Sequence, residues 1–231
     1  MKRSAYIFIS LIMIIFVSVP LSARITSSYL YFSAGAIQLA REIEIPGVND
    51  LWRVRTETQT GLLLSCGGGY SMGGNFRLEY DIAYRKISFS DVEINDLKVI
   101  GVSIQGGEGD VISLSFMLNG WYDLIHAGRW AIYLGGGLGA GLISLKNVYI
   151  ETAPVVPNPV VTKTLYVDDN DWRFAMQGGA GITYALSADF TLDLGYRYYA
   201  TADPKFITEM GNEFFADVQS HTVLISLKFL Y

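Results

Sequence analysis

Arg77, Glu79, Asp81 and Arg85 fall at even spacings within one short segment, interleaved with Phe76, Leu78, Tyr80, Ile82 and Tyr84. A strand sends successive side chains to opposite faces, so this spacing separates the four charges from the apolar residues. The same separation returns downstream with Asn119 and Asp123, with Arg173 and Gln177, with Asp193 and Arg197, and with Lys228. The set holds five basic groups, four acidic groups and two amides, close to charge balance. Charges gathered on one face of a sheet can line a passage, move protons or pair into a network. In an enclosed space they must pair, because an isolated buried charge is costly. Near balance therefore favours a structural ion network that fills an interior. A narrow or gated pore, in which the pairs exchange partners, is the alternative.

Other reactive side chains form weaker constellations. The two histidines are His126, in a tight turn, and His221, early in the last strand. Ser220 adjoins His221, so on a strand the two face opposite sides and cannot pair. Asp168-Asp169-Asn170-Asp171 lacks the glycine and distal glutamate of a calcium loop and reads as a solvated acidic cluster that attracts divalent ions weakly. Gly135-Gly136-Gly137-Leu138-Gly139 is not a phosphate loop, since no helix and no Lys-Ser/Thr pair follow it. Gly135, Gly137, Gly139 and Gly141 share one strand face and are expected to point inward, leaving room for long side chains or permitting sharp strand coiling. Cys66 is the only cysteine, which excludes an intrachain disulfide, and it reads as a small apolar strand residue. No catalytic, cofactor or metal site is expected. A net charge of −5 removes any electrostatic case for nucleic-acid binding.

The elements that must position these residues are strands. Period-2 alternation marks eight of them, at roughly 27–41, 59–70, 76–89, 110–125, 130–145, 172–186, 190–201 and 217–231. The first two alternate too weakly to assign a facing. Connections after the second, fourth and sixth strands are short. Those after the first, third, fifth and seventh, about 42–58, 90–109, 146–171 and 202–216, are long. Pro154, Pro157 and Pro159 lead us to expect an extended, unpaired segment in the third long loop. Tyr70, Phe76, Tyr122, Trp130, Tyr184, Phe190 and Tyr231 sit beside the short turns or at the C-terminus, and so at one level. Trp172, Phe174, Tyr196 and Tyr198 lie toward the long loops. Alternating short turns and long loops with aromatic girdles is the pattern of strands that meet lipid outside and a polar interior inside.

Both chain ends agree. Met1-Lys2-Arg3 precedes an apolar run to Leu21 and a small-residue pattern, Leu21-Ser22-Ala23, so residues 1–23 read as a secretory signal, with an uncleaved anchor as the alternative. Residues 24–231 then form one domain. In the last strand Val223, Ile225, Leu227, Phe229 and Tyr231 share an apolar face, while Ser226 and Lys228 occupy the other.

That closing strand resembles the C-terminal signal of bacterial outer-membrane β-barrels. The second half of the chain strengthens the likeness through Leu118-Asn119-Gly120-Trp121-Tyr122-Asp123-Leu124, the glycine run, Gly179-Ala180-Gly181-Ile182-Thr183-Tyr184 and Leu192-Asp193-Leu194-Gly195-Tyr196-Arg197-Tyr198. In these motifs the chain resembles the small eight-stranded barrels that include the OmpA transmembrane domain, opacity proteins and rickettsial-type surface antigens. The resemblance implies an all-β, eight-stranded antiparallel up-and-down transmembrane barrel in the outer membrane of a Gram-negative bacterium, with periplasmic turns and extracellular loops. It implies a non-enzymatic surface protein with a structural, adhesion or antigen-like role and a largely plugged lumen. A narrow porin-like channel and a lipid-A-modifying enzyme using His221 are lesser readings. The implied partners are outer-membrane lipid and lipopolysaccharide, the barrel assembly machinery through the last strand, and an extracellular ligand or host surface. The long loops are more acidic than basic and would favour cationic partners.

Overall fold

The computed structural model describes residues 27–40, 44–46, 53–73, 75–95, 102–154, 162–207, 211, 213–215 and 218–231. The signal segment 1–23 and two of the three loop prolines, Pro157 and Pro159, lie outside them. Twelve strands are described: β1 (Ser27–Leu39), β2 (Glu44–Pro46), β3 (Arg53–Thr58), β4 (Gly61–Ser71), β5 (Phe76–Asn95), β6 (Val102–Ala127), β7 (Trp130–Pro154), β8 (Thr162–Ala185), β9 (Phe190–Thr201), β10 (Lys205–Ile207), β11 (Glu213–Phe215) and β12 (Gln219–Leu230). The strands β1, β4, β5, β6, β7, β8, β9 and β12 pair antiparallel with their chain neighbours, and β12 pairs with β1 to close an eight-stranded barrel. β3 continues the β4 side of β5 upward past a register shift between Thr56 and Thr58.

Stagger sets the shape of the barrel. Cross-strand partners lead from Tyr184 through Leu192, Leu227, Phe32, Cys66, Ile82, Phe116 and Ala140 back to β8 at Phe174, ten residues above the start. With strands about 4.8 Å apart and a rise of ~3.3 Å per residue, that stagger tilts the strands by roughly 40°. Eight strands at this tilt leave an interior only wide enough for side chains.

Burial follows strand parity. Leu30, Phe32, Leu62, Leu64, Ile82, Phe116, Leu134, Leu138, Phe174, Met176, Ile182, Leu194 and Ile225 face outward and are exposed, as a lipid-facing belt requires. The facing of the first two strands, illegible in the sequence, is settled by burial: Tyr29, Tyr31, Ser33, Ile37 and Leu39 point inward, as does Leu63. Cys66 is exposed on the outer face. Short turns use residues suited to positive φ. Gly128, at φ 62°, makes the two-residue β6–β7 turn, and Gly73 and Asn75, at 74° and 70°, make the β4–β5 turn. Around these turns Trp130 packs on Tyr184 with ring centroids 4.4 Å apart, and Phe190 on Phe229 at 5.3 Å. They form the lower aromatic girdle.

Two expectations need correction. The segments 90–109 and 146–171 are not mainly irregular loops. β5 and β6 pair up to Ser90 and Glu108, and β7 and β8 pair up to Thr152 and Thr162, with bulges near Val148. β6 and β7 pair as far as Val102 and Pro154, so Pro154 ends a strand rather than lying in an unpaired segment. Pairing is supplied here by the upward continuation of strands already in register, which needs no lipid-facing alternation. The fourth long connection also holds structure: β10 and β11 form a small hairpin of their own.

Candidate functional site

Near the lower end of the lumen, Glu79 on β5 is the centre of a dense network. Its carboxylate accepts hydrogen bonds from the Tyr29 hydroxyl at 2.7 Å, the Trp121 indole at 2.8 Å and the Lys228 ammonium at 2.9 Å. Arg77 lies 3.6 Å from the same carboxylate and pairs with Asp123 at 2.8 Å. Lys228 also stands 3.0 Å from Asp193 and so bridges two acids from β5 and β9. Asp193 accepts the Tyr133 hydroxyl at 2.8 Å. Arg197 lies 3.9 Å above the Trp121 ring and donates to the Tyr133 hydroxyl at 3.2 Å. In this layer three cations (Arg77, Arg197, Lys228) meet three anions (Glu79, Asp123, Asp193), and aromatic faces fill the remaining space.

The middle layer is mostly uncharged. Asp81 accepts the Asn119 amide at 3.0 Å and the Gln177 amide at 3.4 Å, and Gln177 also donates to Asn119 at 2.5 Å. Above it Arg85 donates to the Ser115 hydroxyl at 2.6 Å and stacks 4.0 Å over the Tyr199 ring. Glycines make these layers possible. A Cβ at Gly137 would sit 2.0 Å from the Asn119 side chain, and one at Gly141 2.4 Å from the Tyr199 hydroxyl. Gly137 and Gly141 thus leave room for the network, whereas Gly135 and Gly139 let the β6 backbone approach closely, a Cβ there lying 2.1 and 2.0 Å from the carbonyl oxygens of Gly120 and Phe116.

Arg173 stands apart from the other predicted lumenal residues. It lies higher on β8, opposite Gly141, remains partly exposed and pairs with Asp171 at 2.6 Å. The face of Val223, Ile225, Leu227, Phe229 and Tyr231 is exposed to the membrane side, whereas Lys228 between them is only 5% exposed.

The outer part of the lumen departs most from the expected polar interior. Ile37, Leu39, Ile87, Phe89, Val111, Ile143, Leu145 and Val148 form one buried apolar cluster with Phe206, Phe214 and Val218. Phe206 and Phe214 belong to the β10–β11 hairpin, and their rings meet at 5.6 Å. β8 holds this hairpin in place: Asp171 accepts the Lys205 N–H at 2.9 Å, and Asp169 accepts the Ile207 N–H at 2.9 Å. Asp168 pairs with Lys146. The expected solvated acidic cluster is therefore a latch, because its carboxylates are engaged by backbone donors and cations. Among the described residues no group of three His, Cys, Asp or Glu side chains is arranged to hold a metal ion.

Sequence reasoning missed two kinds of contributor. One is aromatic: Tyr29 and Tyr133 complete the ion network, and Tyr133 shares the parity of the inward glycines that could have flagged it. The other is the hairpin plug, whose three-residue strands carry no periodic signal.

A tightly packed polar lumen inside an apolar belt identifies an integral barrel. Comparison then supplies the family, since a model described as surface antigen matches residues 52–224. The chain belongs to the surface antigen family. An uncharacterised protein of Brucella abortus is 39% identical over 85 residues, 36% of this chain and 28% of that protein. The outer membrane protein PagN of Salmonella typhimurium is 28% identical over 145 residues, 57% of this chain and 56% of PagN. The matched segments thus span 28% to 56% of the length of these curated relatives. Among solved structures, the outer membrane protein OprG from Pseudomonas aeruginosa superposes with a TM-score of 0.52 at 11% identity, covering 89% of this chain and 97% of OprG. Neisserial surface protein A superposes at 0.46 and 12% identity, covering 88% and 96%. The OprG likeness concerns the fold alone. This member of the surface antigen family is a surface protein of the outer membrane, built as an eight-stranded barrel.

Proposed function

We propose that the protein works by contact at the cell surface, as a non-enzymatic adhesion-type or antigen-like barrel, and not by passing solutes. One observation carries the reading: the lumen is filled by the Glu79–Lys228–Asp193 layer below and an apolar plug above, while β6, β7 and β8 run on past the sealed rim. A barrel that invests its longest strands outside the membrane and closes its interior offers an external surface as its working part. The family description supports the same reading, and Ser220 and His221 face opposite sides, buried and exposed. The excess of acidic residues in the outer segments favours a cationic or neutral partner surface.

The test shortens the outer sheet without touching the barrel. Tyr149 and Leu165 are cross-strand partners, so replacing 150–164 by a short Asn-Gly turn keeps the register. Cells displaying the intact protein should attach to an epithelial monolayer at least several-fold better than cells displaying the shortened form at equal surface levels. Equal attachment would remove the proposed role from this sheet.

A further inference from the structure

On the outward surface of β9, β12 and β1, polar side chains gather around His221 near the upper end of the barrel. The Tyr196 hydroxyl lies 2.6 Å from His221 Nδ1, and the Tyr198 ring is 5.3 Å from the imidazole. The Tyr198 hydroxyl donates to Gln219 at 2.5 Å. Gln38, exposed on β1, is the direct cross-strand partner of His221. In the tautomer in which the Tyr196 hydroxyl donates to Nδ1, the Nε2 of His221 carries the proton, and His221 and the Gln38 amide both offer N–H donors outward. Among the described residues neither donor has a protein partner. At the upper edge of the hydrocarbon their partners come from lipid headgroup oxygens or interfacial water.

A groove leads into this cluster. Gly120, Gly136, Gly178, Tyr198, His221 and Gln38 are successive partners in one hydrogen-bonded row across six strands. The ten-residue stagger makes every such row climb toward the outer side in that order. The Phe76 ring closes its low end, 3.1 Å from where a Cβ on Gly120 would sit. Above it, Gly136 and Gly178 leave bare backbone as the floor of a cavity of about 460 Å³, walled by Leu138, Met176 and Tyr198. Tyr198 is thus shared by the apolar groove and the polar cluster.

We propose that this track binds one acylated glycolipid of the outer leaflet, the lipid A part of lipopolysaccharide. An acyl chain lies over Gly136 and Gly178, and His221 and Gln38 donate to acyl carbonyl or phosphate oxygens where the chain joins the sugar. Position selects this occupant: the donors sit at the upper end of the apolar belt, about 20 Å along the axis from the lower girdle, on the leaflet that faces the long hairpins. A headgroup rich in acceptors also suits a site that presents donors.

Native mass spectrometry of the full barrel, released from detergent after incubation with hexa-acylated lipid A or with phosphatidylethanolamine, tests the assignment. One lipid A should stay bound under conditions that strip phosphatidylethanolamine. The double variant Gln38→Leu/His221→Phe removes the donors and should weaken retention at least fivefold. Gly178→Leu fills the groove and should do the same; a Cβ there meets nothing closer than 3.9 Å, so the barrel accepts it. Leu64→Phe, elsewhere on the belt, should retain lipid A like the parent. Heat-modifiable gel migration verifies that each variant is folded, and either site variant alone decides the outcome. Equal retention by the folded site variants, or equal retention of phosphatidylethanolamine, overturns the proposal.

Discussion

Lys228 shows what the lumen demands of a single residue. It is the cation common to Glu79 and Asp193, at 2.9 and 3.0 Å, within a layer of three positive and three negative groups. Replacing it by methionine leaves two carboxylates facing each other without their bridge. Breaking a buried pair by removing one partner costs roughly 3–5 kcal/mol. Lys228→Met should lower the unfolding free energy by about that amount in urea titrations of the barrel in lipid vesicles. Adding Glu79→Gln restores the balance of charge, and the double variant should recover at least half of the loss. If the two losses simply add, the pair is not coupled as the distances require. The inward set itself was legible, because a period of two assigns each residue to one side of the sheet. Partner choice was not. Nothing in the spacing told Arg173, which pairs with Asp171, from Arg197, which stacks on Trp121. That distinction depends on height, and height follows from a stagger defined only once all eight strands are in register.

At the scale of elements, the β10–β11 hairpin is the feature whose removal would change the molecule most selectively. It has few backbone bonds of its own and is held by Phe206 and Phe214 in the apolar cluster and by the two β8 carboxylates. Truncating a buried phenylalanine costs about 3–5 kcal/mol, more than so small a hairpin can spare. Phe206→Ala/Phe214→Ala should therefore release the plug: limited proteolysis should cut between Lys205 and Phe215 at least tenfold faster, while heat-modifiable migration of the barrel persists. Undiminished protection would mean that the latch of Asp169 and Asp171 suffices without the rings. Freed of its plug, the barrel should still show no steady current in planar bilayers, because the Glu79–Lys228–Asp193 layer closes the lumen below; a steady current in either form would contradict a filled interior. The barrel strands could be read from the sequence because lipid imposes strict alternation on them. The outer halves of β7 and β8 could not, since stretches such as Thr162-Lys163-Thr164-Leu165-Tyr166-Val167 stand outside the belt and need not alternate. The plug was hidden for a related reason, because its two aromatic anchors lie in strands too short to show a period.

For the whole molecule the decisive event is closure, and the last strand performs it. β12 pairs with β9 on one side and with β1 on the other, from Tyr29–Leu230 to Leu39–Ser220. Tyr231 contributes little to the finished barrel. Its side chain is 70% exposed, and its backbone adds one hydrogen bond, to Ser28 at 3.0 Å. Removal of a residue so placed should shift the stability of the refolded barrel by about 1 kcal/mol or less. Yet the row Val223, Ile225, Leu227, Phe229 and Tyr231 lies on the strand that forms the seam with β1, and its outward face ends in stacked rings, Phe229 on Tyr231 at 6.4 Å. If an assembly machinery recognises that exposed strand before closure, deleting Tyr231 acts on delivery and not on the product. The expected result is a several-fold fall in the amount of heat-modifiable protein in the outer membrane of cells, together with near-parent unfolding midpoints for the same variant refolded in vesicles. Loss of both would make Tyr231 a stability residue, and loss of neither would leave the closing strand with a purely architectural role.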